Sequence, residues 1–414
     1  MRNRNGSANG ITPAPQALLR SRIRPVLGVL WPLFLASAVF HAVGQTNGIY
    51  ADFTTSMGEF TCQLDYTNAP KATANFIGLA TGARAWLDLT TGRARTEPFY
   101  DGLTFQRVIA GFVIQSGSPN GQSTDGPGYA FPDEITASLN FSQPMVLAMA
   151  NSGTNSNGSQ FFITVSSQPS LNNGYTIFGR VVSGSNVVDS ISAVPTDASD
   201  RPLTNVVIQQ VQVRRVGPGA QAFDINAQDL PVVTNLPLGI ALTHAAASLS
   251  FANRQFADNR LYVSTNLTDW SADSLGIEVA SPSTNSVSIT NDVPQRFFSF
   301  AQIQYPSSTF APKTVFNRTL TLKLTGTGTL KIKFNAKGGG TFTFAGTPGT
   351  VTRYTWKQEP YRGALWPIYY SNVIPMTLLL NFNSQGAGSV SGTAYPAPPK
   401  PSRSVSGSFT LSIP

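Results

Sequence analysis

The chain has 414 residues, of which only 12% are charged, with one cysteine, two histidines and a formal net charge of +8. That length accommodates two or three domains, and the abundance of Gly, Thr, Ser and Asn points to many short strands and turns, hence a mainly β protein. One cysteine excludes an intramolecular disulfide framework. With His41 and His244 as the only histidines, residues 45–216 can hold neither a Ser-His or Cys-His catalytic pair nor a histidine-based metal site.

Arg2, Arg4, Arg20, Arg22 and Arg24 precede an apolar run from Pro25 to Val43, and Ala42-Val43-Gly44 supplies small residues of the kind a signal peptidase reads. Residues 1–44 are therefore expected to be a signal peptide, which makes the protein exported, periplasmic or extracellular. An uncleaved anchor is the alternative, because the run is only just long enough to span a bilayer. Strands are expected at 49–53 and 59–64 around a Ser-Met-Gly turn, with Cys62 a buried, inert thiol. Asn68-Ala69-Pro70 opens a helix, a capping side chain followed by a proline whose missing N–H does no harm, and Gly82 ends it. Residues 83–98 (ARAWLDLTTGRARTEP) read as a polar surface loop.

Residues 105–117 (FQRVIAGFVIQSG) and 149–164 (MANSGTNSNGSQFFIT) each set a few polar side chains into an apolar run. A half-buried strand would not choose Arg107, Gln115, Asn151 or Gln160 for stability alone. A long cation, carboxamides and large rings converging on a sheet surface would make a pocket for an apolar peptide segment with a backbone to grip. A short helix is expected after Ser185, with Val187, Val188 and Ile191 inward, and residues 205–215 alternate as a last strand. GPGAQ (217–221) then breaks the periodicity, and residues 217–235 read as a linker.

Strand-like runs continue through 236–306, where LYVSTNLTDW and VPQRFFSF suggest a small β-sandwich-like module. Residues 311–414 alternate apolar with hydroxylic and cationic side chains, as in Leu320, Leu322 and Leu324, which fits a meander or small antiparallel barrel. Charge divides unevenly: residues 45–310 hold 12 basic and 19 acidic side chains, residues 311–414 hold 11 and one. A basic module outside the cytoplasm has the charge to contact an anionic envelope polymer; a merely solubilising face is the blander alternative.

FxRVIxGFxxQxG, MANxGxNxNGSQFFIT and LNNGYTIFGRV (171–181), with SMGEFTCQLDYTNAPKATANFIGLATG (56–82), FYDGLTF (99–105) and VVSGSNVVDSI (181–191), resemble the cyclophilin-type peptidyl-prolyl isomerases in order and spacing over about 170 residues. The resemblance implies a closed antiparallel β-barrel with two capping helices over 45–216, followed by the two accessory β modules. It implies peptidyl-prolyl cis–trans isomerase activity on exported clients, with Arg107 as the catalytic donor to the prolyl nitrogen. Phe112, Val113, Phe162 and Leu171 then correspond to the apolar wall around the proline ring; Gln115 and Gln160 to polar positions beside the substrate; Ala150 and Asn151 to the segment that grips its backbone. Tyr175 stands where many eukaryotic members carry histidine. The implied partners are proline-containing segments of client proteins, with no cofactor, metal or nucleic acid, and no membrane insertion once the signal is removed.

Each residue has a plainer alternative. Arg107 could pair with Asp133 or Glu134; Phe112 and Phe162 could be core; Gln115 and Gln160 could tie loops together; Asn155, Asn157 and Gly158 suit left-handed turns. A rival of a different class is a non-catalytic proline-peptide binder or envelope adhesion protein that uses the same fold as a recognition surface.

Overall fold

The computed structural model describes residues 46–414 apart from 123–124, 243–245, 255–256, 279–282, 291–294, 307–310, 313–314, 336, 360, 371–372, 385, 396–400 and 413–414. The expected signal segment and His244 lie outside the described residues.

The first unit of structure is an eight-stranded antiparallel sheet. In chain order its elements, with the helices and a hairpin between them, are β1 (Gly48–Thr55), β2 (Gly58–Leu64), α1 (Pro70–Thr81), β3 (Trp86–Asp88), β4 (Arg93–Arg95), β5 (Arg107–Ile109), β6 (Val113–Ser116), β7 (Val146–Met149), β8 (Phe161–Thr164), β9 (Ile177–Ser183), α2 (Ser185–Ser192) and β10 (Ile208–Val216). The sheet runs β10-β1-β2-β9-β7-β8-β6-β5, with β3 and β4 pairing only with each other. It curls until its edges meet: Phe105 N–H donates to Val206 O at 2.9 Å, Ile208 N–H to Leu103 O at 2.7 Å and Val108 N–H to Asp200 O at 2.8 Å. Loop-borne bonds of this kind, rather than a full strand pair, close the barrel and leave few unpaired edge groups.

Inside the curl, Phe53, Phe76, Tyr100, Phe161 and Phe178 form a fully buried aromatic cluster. Phe76 touches Tyr100, Phe161 and Phe178 at ring-centroid distances of 4.8–5.9 Å. Cys62 is also fully buried there, and that burial pushes its thiol far above the usual range, which makes it inert. Helix α2 buries Val188 and Ile191 as its spacing predicts, with Val187 packed at the margin.

The start of α1 departs from expectation. Pro70 occupies the first turn and Gly82 closes the helix in a left-handed conformation, but Asn68 does not cap it. Its side chain bonds Asp65 instead, and Glu134 receives Lys71 N–H and Ala72 N–H on its two carboxylate oxygens, each at 2.9 Å. Two orphan donors are thus satisfied by an acid from a distant loop, in keeping with the positive end of the helix.

Residues 83–98 differ more. They form the β3–β4 hairpin, and Leu87 is fully buried. Its partners come from later in the chain. After α3 (Pro218–Ala222), the strands β11 (Val232–Asn235), β12 (Gly239–Leu242), β13 (Ala246–Asn253), β14 (Ala257–Ser264), β15 (Trp270–Glu278), β16 (Ser283–Thr290) and β17 (Phe297–Gln304) make a four-stranded sheet, β11-β17-β14-β15, and a three-stranded sheet, β12-β13-β16. Leu249 and Phe251 of one sheet pack on Leu261 and Phe300 of the other, so the two share one apolar layer. Leu87, with Leu89 and Ala94, packs against Val233, Ala301, Ile303 and Tyr305. Asn235 and Ala94 exchange two hydrogen bonds, and Ser299 Oγ donates to Gly92 O at 2.8 Å. Gly92 has φ +67° and lies against the Tyr262 ring, where a Cβ would stand 2.0 Å from a ring carbon, so only glycine fits.

Segment 217–235 is packed as well: Ala220, Ile225 and Leu230 are buried against the barrel core, and Arg84 donates to Ile225 O and Pro231 O. Between Thr319 and Leu411 nine strands form one antiparallel sheet around a single apolar cluster. Its first and last strands in the chain, Thr319–Leu324 and Arg403–Leu411, pair in the middle of the sheet, while its two outermost strands, Thr347–Val351 and Arg353–Glu359, are consecutive in the chain. Lys323, Lys331 and Lys333 stand exposed on its outer face, alternating with buried Leu322, Leu330 and Ile332.

Candidate active site

Period two decides what faces the site. Directly paired residues of an antiparallel sheet share a face. Val108, Ile114, Ile163 and Leu147 pair across β5, β6, β8 and β7 and belong to the buried core. One position along, Arg107 pairs with Gln115, Gln115 with Phe162 and Phe162 with Ala148, giving a row on the opposite face. A cation and a carboxamide therefore stand beside a phenyl ring without disturbing the core behind them.

An apolar layer floors this face: Val113, Phe141, Val146, Ala148, Phe162 and Ile177 are buried, with Phe112, Ala150, Leu171 and Tyr175 packed around them. Phe141 stacks behind Phe162 at 5.9 Å, and Tyr175 meets Phe162 edge-on at 5.3 Å. Phe162 is 5% exposed, so its ring is held from two sides and offers only a small surface. A cleft of about 510 Å³ opens here. All ten residues singled out from the sequence line it: Arg107, Phe112, Val113, Gln115, Ala150, Asn151, Gln160, Phe162, Leu171 and Tyr175.

Arg107 has a partner the sequence did not suggest. Its Nε lies 3.4 Å from Asp200 Oδ2, and both side chains are about two-fifths exposed. Asp133 and Glu134, the acids the sequence offered as partners, are committed elsewhere. Glu134 caps α1, and burial raises its carboxyl above the usual range despite the two helix N–H bonds that oppose the shift. Asp133 accepts Asn155 N–H at 2.9 Å and Asn157 Nδ2 at 2.8 Å, which pins the 151–160 loop.

That loop is fixed along its length. Asn155 adopts a left-handed conformation, as expected of a turn former, but Asn157 does not and is fully buried. Asn75 of α1 donates to Gly158 O, Tyr129 donates to Asn75 Oδ1, and Tyr100 donates to Ser159 O, at 2.8–3.0 Å. Burial pushes the hydroxyls of Tyr100 and Tyr129 well up, so both remain protonated donors. Asn151 Nδ2 donates to Gly174 O, linking the loop to the Tyr175 segment.

Gln115 and Gln160 line the cleft and hydrogen-bond its rim. Gln115 Nε2 donates to Gln160 Oε1 at 2.8 Å, and Gln160 Nε2 donates to Gln122 O at 3.1 Å and Asp125 O at 2.7 Å. Sequence reasoning missed Phe141, Asp200, Leu89, Arg260 and Tyr305. The first two contact residues it did find, Phe162 and Arg107; the last three also line the cleft, and Arg260 and Tyr305 come from the β-sandwich, where no motif flags them.

The model of the cyclophilin-type peptidyl-prolyl cis-trans isomerase family matches residues 50–213. Peptidyl-prolyl cis-trans isomerase B of Streptomyces anulatus is 49% identical over 168 residues, 40% of this chain and 96% of the relative. Peptidyl-prolyl cis-trans isomerase A of Mycobacterium tuberculosis is 43% identical over 184 residues, 44% of this chain and 94% of the relative. An Arabidopsis thaliana peptidyl-prolyl cis-trans isomerase is 38% identical over 162 residues, 38% of this chain and 90% of the relative. With nearly the whole length of such relatives aligned, on a barrel whose cleft brings together the ten residues singled out from the sequence, the chain belongs to the cyclophilin-type peptidyl-prolyl cis-trans isomerases.

Proposed function

We propose that the cleft accelerates rotation about X–Pro bonds in client polypeptides, with Arg107 hydrogen-bonding the prolyl nitrogen of the twisted state. The uncatalysed barrier is about 18–20 kcal/mol because the amide nitrogen shares its lone pair with the carbonyl. On twisting, that conjugation is lost and the nitrogen becomes a pyramidal acceptor. A donor aimed at it stabilises the twisted form and not the planar one, which is the differential binding that catalysis needs. A guanidinium suits the task, since it stays charged and offers donors in a fixed fork. Phe112, Val113, Phe162 and Leu171 take the proline ring, and this apolar wall favours a twisted amide that has lost the charge separation of the planar one. Gln115 and the 150–151 segment hold the peptide on either side. No proton moves, so the lack of histidine between residues 45 and 216 is no obstacle.

The observation that carries this reading is the row Arg107, Gln115, Phe162, Ala148 on the cleft face of the barrel. A protease-coupled assay on an Ala-Pro peptide tests it: wild type accelerates the slow phase and Arg107→Ala does not. Tight peptide binding with no acceleration by either protein would favour the rival, a non-catalytic proline-peptide binder.

Export of the chain is part of the proposal, supported by five arginines ahead of the apolar run from Pro25 to Val43. Recovery of the full-length protein in the cytoplasmic fraction would contradict it. Residues 311–414 are proposed to contact an anionic envelope polymer, supported by eleven basic side chains against one acidic and by the exposed face of Lys323, Lys331 and Lys333. Exchange of these three lysines for glutamine should weaken salt-sensitive retention on anionic cell-wall material; unchanged retention would reject the contact.

A further inference from the structure

Two residues of the cleft wall lie outside the family-matched region of 50–213. Arg260 comes from β14, and Tyr305 directly follows β17. Both stand among cyclophilin-side residues of the cleft, Leu89 on the β3–β4 hairpin and the 125–130 segment. The placement is built: Tyr305 is 3% exposed, its hydroxyl is hydrogen-bonded by the Ala130 backbone, and its ring meets Tyr361 edge-on at 5.8 Å. Tyr129, which holds Asn75 beneath the site loop, belongs to the same apolar cluster. The β-sandwich is therefore held against the segment that forms one side of the cleft.

Arg260 is oriented from behind. Asp258, 3% exposed, takes its Nε at 2.8 Å and its Nη2 at 2.7 Å on the single oxygen Oδ2. Among the described residues Nη1 has no hydrogen-bond partner, while the side chain keeps 30% of its surface exposed at the cleft. A guanidinium braced by a buried carboxylate, with one nitrogen uncommitted on a substrate wall, is arranged to receive an acceptor. Of the other charged groups on the lining, Arg107 is paired with Asp200, and Asp125 is an acid that would repel a second one. An acidic client side chain would thus gain where it reaches Arg260 and lose near Asp125, which makes the preference specific to position.

We propose that the β-sandwich supplies part of the client-binding surface: Arg260 receives a carboxylate side chain a few residues from the proline, beside a wall made by Tyr305 and Leu89. The proposal rests on the isomerase reading of the cleft and adds a substrate preference to it. The appended module thereby becomes a selector of clients rather than a spacer.

The test uses the full-length protein and a series of single-proline peptides in which glutamate or glutamine is placed in turn at each of four positions on either side. Turnover is read as kcat/KM by exchange NMR at low salt. At one position the Glu/Gln ratio should reach about three- to tenfold, the size of one partly exposed charged contact, and should fall as salt is added. Arg260→Gln should bring that ratio to about one, and Arg260→Lys should restore part of it. Because Arg260→Gln leaves Asp258 buried beside a neutral group, the paired variant Asp258→Asn/Arg260→Gln serves the same purpose with no stranded charge. A ratio near one at every position in wild type, or a preference that survives in both Arg260→Gln variants, would overturn the proposal while leaving isomerisation intact. If no peptide is turned over, isomerisation itself fails, and equilibrium binding of the same Glu/Gln pairs still reads the Arg260 preference: a preference lost on substitution supports it, and its absence overturns it.

Discussion

Arg107 Nε and Asp200 Oδ2 stand 3.4 Å apart at the seam where the barrel closes, and Val108 N–H donates to the Asp200 carbonyl at 2.8 Å. One residue thus both locks the seam and steadies the cation expected to act on the prolyl nitrogen. Asp200 has φ +62°, a conformation that asparagine also tolerates. Asp200→Asn should therefore keep the backbone and remove only the charge. We expect kcat/KM to fall about two- to fivefold, as befits an exposed ion pair that orients rather than reacts, with the thermal midpoint nearly unchanged. A loss as large as that of Arg107→Ala, measured in the same coupled assay, would mean that Asp200 does more than orient.

A reaction without proton transfer predicts a flat pH profile. Among the ten sequence-derived residues of the cleft the ionisable side chains are Arg107 and Tyr175, and arginine stays charged throughout. We expect kcat/KM for an uncharged peptide to vary less than about twofold between roughly pH 6 and 9, where only groups with pKa values near 6.5–8.5 would titrate. A bell-shaped profile would indicate a general acid or base that the proposed mechanism lacks.

Acid should release the contact between barrel and β-sandwich through Asp88. Burial alone would raise its carboxyl, but hydrogen bonds from Thr91 and Arg95, joined by the Thr90 and Thr91 amides, outweigh it and hold the carboxyl below its usual range. Since the folded value lies below the unfolded one, the stabilisation is present above the ordinary carboxylate range near 4 and is lost as pH falls through the depressed value. Asp88 ends β3 next to Leu87, which packs on Val233 and Ile303, so the hairpin should open first. The protection of the amides of residues 86–95 against exchange, relative to their intrinsic rates at the same pH, should fall below about pH 4, and Asp88→Asn should show that loss already at neutral pH, with about 1–3 kcal/mol less stability. Unaltered exchange in Asp88→Asn would disprove the role of this carboxylate.

Much of the site was legible because strand period and pairing are local. FQRVIAGFVIQSG alternates Val108 and Ile114 with Arg107 and Gln115, and the Phe161-Phe162 pair must place one ring on each side of a strand. The structure puts Phe161 in the barrel core and Phe162 on the cleft floor. What could not be read was choice of partner. Asn68 has the right chemistry for an N-cap but stands one residue ahead of the cap position, which Ala69 occupies, and Glu134 from a distant loop takes two helix N–H groups. Residues 83–98 look polar, with Trp86, Leu87 and Leu89 as their only large apolar side chains; the partners of Leu87 lie on β11 and β17, and Ala94 is 141 residues from the Asn235 that it binds. Arg260 was invisible for the same reason, since nothing near it in sequence marks the cleft it borders.

The most direct measurement is the rate of cis–trans exchange of a single-proline peptide, read by NMR without a coupling protease, for wild type and Arg107→Ala at matched saturation. A donor acting only in the twisted state predicts that Arg107→Ala loses about two to three orders of magnitude in kcat while peptide affinity changes by less than about threefold, since the lost contact belongs to the transition state. An Arg107→Ala protein that exchanges the peptide as fast as wild type would contradict the assignment of catalysis to Arg107.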